Sequence, residues 1–184
     1  MTRIFLTLAV LSTILLCVAF GMGQSIGDPR LADPEVQASV SRHFLTGMAA
    51  LAFSCFVHAL VLTYFMGTGR WMEETTAAYR LPERWKDECR ALKSRTIPPM
   101  TGCILLLIIT GAFGGAADPA STVNFSGWGD FLPATIHWLI AVTTISINLL
   151  VNLKEYQAIN RNRQIIDEVV EEVRKIRVER GLPV

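Results

Sequence analysis

The sequence predicts an all-α integral membrane protein, a four-helix up-and-down bundle with cytoplasmic helical extensions. Three observations carry this. Four separate apolar runs approach or exceed the roughly 18–20 residues that a helix needs to cross about 30 Å of hydrocarbon. Hydrophobic residues make up 51% of the chain, and the mean hydropathy is positive. Lysine and arginine crowd the segments after the second and fourth runs and are sparse in the other two loops. The 184 residues suffice for one domain. A net charge of +1 gives no reason to expect nucleic acid, and the lipid bilayer is the first partner that the composition implies.

The first apolar run covers about residues 4–21, behind Arg3. A basic start and small residues near Gly21 and Gly23 also suit a cleaved signal peptide. A retained helix is favoured, because it completes a bundle around the other three. Residues 21–32 read as a turn-rich loop. Asp33-Pro34-Glu35 reads as a helix start, with Asp33 as N-cap and Pro34 at the first helical position. The second span, 42–67, therefore begins outside the membrane and continues to about Arg80.

Residues 70–96 form a basic helical hairpin that turns at Leu81-Pro82. Trp71, Tyr79 and Trp85 suit a headgroup belt or a packed hairpin. In the third span, 97–117, Pro98-Pro99 is expected to kink or restart the helix, and Gly111 to Gly115 has small-residue spacing for close contact. Residues 118–132 form a loop with Trp128 as an interface anchor. The fourth span, 133–153, continues as a helix over 154–180. Its seam is Ile159, Asn162, Ile166, Val169, Val173 and Ile176, three and four apart. The stripe is expected to pack on the hairpin; the alternatives are self-association through this helix or docking to other membrane subunits. Cys17, Cys55, Cys89 and Cys103 make no CxxC pair, so neither a disulfide framework nor a zinc ribbon is expected. The positive-inside rule places both termini in the cytoplasm, and a bacterial inner membrane is the expected location.

Strongly polar residues inside a span are costly and mark sites. The chain has 3 histidines. His43, Gly47, Ala50, Ser54 and His58 follow one face of the second span, and His137, Ala141, Thr144, Asn148 and Asn152 follow one face of the fourth. In an up-and-down bundle these two spans face each other across the centre. His43 and His137 then share one depth, with His58 about 22 Å deeper. Opposed imidazoles among small side chains suit a metal or a flat haem. A plainer role for His58 is a hydrogen bond to Thr110 or Ser146 that joins helices.

This layout resembles the four-helix haem core of membrane b-type cytochromes, in which two helices each carry two histidines about fourteen residues apart. The resemblance lies in spacing and helix order. It implies a haem b ligated by His43 and His137, with Arg42 meeting a propionate and His58 as a further cofactor residue. Asn148 or Asn152 stands where a partner for His58 would be, so one bis-histidine haem is implied at most.

No Ser–His–Asp set, HExxH or paired intramembrane carboxylates occur, so neither hydrolase nor transferase chemistry is supported. Any enzymatic role is redox. The spans carry no acidic residues, which argues against an ion pathway. The first reading is an accessory or scaffold subunit of a larger membrane complex; the alternative is a b-type haem-binding electron-transfer subunit, and a pore formed by an oligomer is a third.

Overall fold

Four helices account for nearly all of the computed structural model, which describes residues 1–30 and 33–183. Leu31 and Ala32, in the expected 21–32 loop, lie outside the described residues, as does Val184. The helices are α1 (Thr2–Gln24), α2 (Pro34–Tyr79), α3 (Arg84–Ala117) and α4 (Pro133–Glu179). All four are long and apolar enough to cross a membrane. α2 and α4, with 46 and 47 residues, reach about 70 Å at a rise of 1.5 Å per residue, more than twice the hydrocarbon thickness. Each therefore combines a spanning half with a polar half.

The helices form a ring in chain order, α1 closing against α4, with the backbones of α1 and α3 apart across one diagonal. Cross-helix hydrogen bonds set the directions. Ser12 meets Ser54 at 2.7 Å between α1 and α2, and Thr110 meets Thr144 at 2.6 Å between α3 and α4. α2 and α4 run parallel across the diagonal. Within the spanning half the usual pattern of a soluble protein is inverted. Ile4, Val10, Ile14, Phe44, Leu105, Ile108 and Leu150 are exposed, whereas Ser12, Ser54, His58, Thr144 and Asn148 are buried. An apolar belt of this extent belongs against lipid.

The helix ends follow their residues. Asp33 caps α2, accepting from the Glu35 N–H at 2.8 Å, with Pro34 in the first turn. α2 closes with Arg80 in the left-handed region (φ 54°), and the Leu81 N–H reaches back to the Thr76 carbonyl at 3.0 Å. Leu81 is buried beneath that turn, the apolar contact that accompanies such closures.

Two expectations are corrected. α1 runs on to Gln24, through Gly21 and Gly23, which were read as loop. Gly23 lies in the last turn of α1 with the ring of His43 against it. α3 passes through Pro98 and Pro99 without a restart. Proline keeps helical φ; it removes the N–H donors to the carbonyls of Ser94 and Arg95 and crowds the preceding turn. Both of those residues are exposed, so their carbonyls can be solvated.

The polar halves have a core of their own. Met72, Leu81, Trp85, Cys89, Ile165 and Val169 are buried together, with Ile166, Val173 and Ile176 against them. The α4 stripe is thus covered by the hairpin of the same chain, and Ile165, absent from the expected seam, is one of its most buried members. Trp85 Nε1 donates to Glu168 Oε2 at 3.0 Å, and Arg161 Nε donates to Glu88 Oε1 at 2.6 Å. Ile165→Ala is expected to cost about 2–5 kcal/mol, seen as a lower thermal midpoint for the helical signal.

Burial, with the Glu88 carboxylate beside it, pushes the Cys89 thiol up to about 11, from an ordinary value of 9.0. Below pH 9 the thiol is neutral in the folded and unfolded chains and contributes no pH dependence. Between about 9 and about 11 the unfolded chain loses the proton first, so stability falls as pH rises. Thermal unfolding across this window is expected to show that loss, and Cys89→Ala is expected to reduce it.

Candidate cofactor site

At the end of the bundle nearest the 118–132 loop, α2 brings in His43 and α4 brings in His137. Their ring centroids lie 6.3 Å apart, with ring planes at 68°. An imidazole nitrogen binds a metal at about 2.0 Å, and the ring centre lies roughly 1.1 Å behind it, so two rings on opposite sides of one metal have centroids about 6 Å apart. The observed 6.3 Å is compatible with that arrangement and equally with a direct edge-on contact between the two rings.

Both rings line a cavity of about 280 Å³ to which all four helices contribute. Its walls are mostly small or apolar: Ala19 and Gly23 from α1, Gly47 and Met48 from α2, Gly111 and Gly114 from α3, and Ala134 and Ala141 from α4. Thr110 and Thr144 lie at its deep end, and Gln24, Asp118 and Pro119 at its mouth.

Each ring is seated on a glycine of a neighbouring helix. A Cβ at Gly23 would fall 2.9 Å from His43 Cε1, and one at Gly114 would fall 3.1 Å from His137 Cε1. His43 Nδ1 lies 3.0 Å from the Ala19 carbonyl oxygen. It therefore donates there, which leaves Nε2 as the nitrogen with a free lone pair. A backbone acceptor on one imidazole nitrogen is the usual way of fixing the tautomer of a metal-ligating histidine. His137 Nδ1 is buried without a well-aligned hydrogen bond, and the Thr110 backbone is beside it.

Among the described residues no group of three or more His, Cys, Asp or Glu converges as a metal site. Two imidazoles alone leave a bare ion short of ligands. They suit a metal whose in-plane ligands come from a macrocycle. Two imidazoles among small side chains are the kind of ligand pair that a haem uses.

The other expected site residues lie elsewhere. Arg42 is exposed; its guanidinium donates to Ser39 Oγ at 3.1 Å and it does not line the cavity. His58 is fully buried far below the cavity. Its Nδ1 is 2.9 Å from Glu155 Oε1 and its Nε2 is 3.1 Å from Asn148 Oδ1. Both ring nitrogens are thus occupied by protein oxygens. The expected partners Thr110 and Ser146 are not used: Thr110 pairs with Thr144, and Ser146 donates to the Val142 carbonyl.

Glu155 was missed because the span was ended at residue 153 and the glutamate was read with the charged tail. The polar stripe of α4 carries the signal, since Asn148, Asn152 and Glu155 continue it in steps of four and three. Around this cluster Asn148 Nδ2, both side-chain atoms of Asn152 and Glu155 Oε2 are buried without partners. A dry group of this kind costs about 1–3 kcal/mol. Ordered internal water is the usual remedy.

No protein-family model, curated protein or solved structure matches the chain.

Proposed function

We propose that this chain is a membrane subunit that holds one b-type haem between His43 and His137 and transfers electrons. The observation that carries the reading is the pair of imidazoles on diagonal helices, 6.3 Å apart, each seated on a glycine. When bound, a haem supplies one-electron redox chemistry. The chain's own residues do the rest. His43 is oriented by the Ala19 carbonyl, and His137 approaches from the opposite side. Gly23 and Gly114 let both rings sit deep in the bundle. Phe20 and Trp138, with centroids 6.3 Å apart, wall the cavity on the α1–α4 side and limit water. A haem held by His43 and His137 would supply electron transfer rather than oxygen chemistry.

The basic segments set the expected topology: both termini cytoplasmic and the histidine pair near the outer face. An accessory role in a larger complex is compatible with this reading, because the charged outer surfaces of the hairpin and tail extend well beyond the bilayer. Titration of the purified full-length protein with hemin tests the assignment. Saturation at one haem per chain, with a low-spin spectrum, is expected. Absence of saturable binding would rule it out.

A further inference from the structure

The His58 cluster has chemistry that the haem reading does not use. We infer that His58 and Glu155, with Asn148 and Asn152 around them, form a reversible proton-binding site buried in the bundle. The inference does not rest on the haem assignment, since His58 lies about 22 Å along α2 from His43 at 1.5 Å per residue.

The hydrogen bonds define the loaded state. His58 faces an oxygen on each side, Glu155 Oε1 at Nδ1 and Asn148 Oδ1 at Nε2. An imidazole donates from both nitrogens only when it carries its second proton. The arrangement therefore suits an imidazolium paired with the Glu155 carboxylate. Loss of the Nε2 proton turns that nitrogen into an acceptor. Asn148 can answer it, because turning its amide over exchanges Oδ1 for Nδ2 within the same shape. Asn148 Nδ2 is buried and unpartnered, so the turn breaks no other bond that it makes. The Cys103 thiol, whose Sγ is 3.7 Å from Asn148 Oδ1, is a weak donor and a weak acceptor and can follow either orientation. The cluster thus offers two hydrogen-bonded states that differ by one proton, which is exchanged with water.

The surroundings isolate the pair and still give the proton a route. The ionisable groups facing it are Cys103 from α3 and Glu155 from α4, with Cys55 of α2 close to Cys103. α1 contributes Phe5 and Ala9 to this part of the core. Glu155 Oε2 and both polar atoms of Asn152 are buried without partners, and water between them is the natural carrier. Further along, Asn162 Nδ2 donates to Tyr64 Oη at 3.0 Å and Thr68 Oγ1 at 3.1 Å, so polar groups continue toward the hairpin.

Nitrogen NMR of the full-length protein labelled with 15N-histidine reads this directly. The 3 histidines give separable signals, and His58→Gln identifies one of them. Between about pH 5 and about pH 11 the His58 Nε2 signal is expected to move reversibly between the protonated and unprotonated positions. In Glu155→Gln the ring is expected to stay neutral throughout. A wild-type ring that keeps one protonation state across this range, neutral or charged, overturns the proposal and makes the pair a fixed part of helix packing. Identical titration in wild type and Glu155→Gln overturns the role of Glu155. Should the variant fail to fold, the wild-type titration decides alone.

Discussion

Replacing Gly23 or Gly114 with leucine is expected to weaken haem binding by about 10–100-fold although neither histidine is substituted, the range seen when groups that support a metal ligand are lost. A Cβ alone at either position would come within 2.9 or 3.1 Å of a histidine Cε1. A leucine has no room there unless the ring leaves. Once displaced, the ring no longer faces its partner at the observed 6.3 Å. Removing a ligand outright, as in His43→Ala or His137→Ala, is expected to do more: each loses the low-spin spectrum. Gly21→Leu is the control, because a Cβ there meets nothing within 4 Å. Hemin titrations of the five variants separate a seat from an ordinary helical glycine. Equal binding by Gly21→Leu, Gly23→Leu and Gly114→Leu would contradict the account.

Glu155→Leu is expected to cost about 3–5 kcal/mol of stability, because it strips a partner from a buried imidazole and leaves the polar stripe of α4 unanswered. His58→Leu is expected to cost a similar amount by orphaning the carboxylate. The double variant is expected to regain most of the loss, since an apolar pair of matching volume needs no hydrogen bonds. Thermal unfolding of the three variants in one detergent measures the coupling. Additive losses, with the double variant as unstable as the sum of the singles, would show that the two side chains do not depend on each other.

The four helices and the meeting of His43 with His137 were legible in the sequence because both follow from simple periodicities. Apolar runs of spanning length mark the helices. Two histidines at one depth on the second and fourth helices must lie near each other once the bundle closes. The seats were not legible. Glycine carries no side chain to announce a contact, and Gly23 sits beside residues that favour loops. Arg42 was assigned by adjacency to His43, yet successive residues on a helix point about 100° apart and its guanidinium turns outward. Glu155 was masked by the charged tail around it, although the spacing from Asn148 and Asn152 put it on the inner stripe. The prolines of α3 were expected to kink or restart it; it does not restart, because their φ suits a helix whose freed carbonyls are exposed.

A reduced-minus-oxidised absorption spectrum of the purified wild-type protein, with a haem assay on the same sample, tests the central claim most directly. Sharp bands of a low-spin b-type haem at close to one haem per chain are the predicted result. A colourless protein from cells well supplied with haem would contradict the account and return His43 and His137 to helix packing.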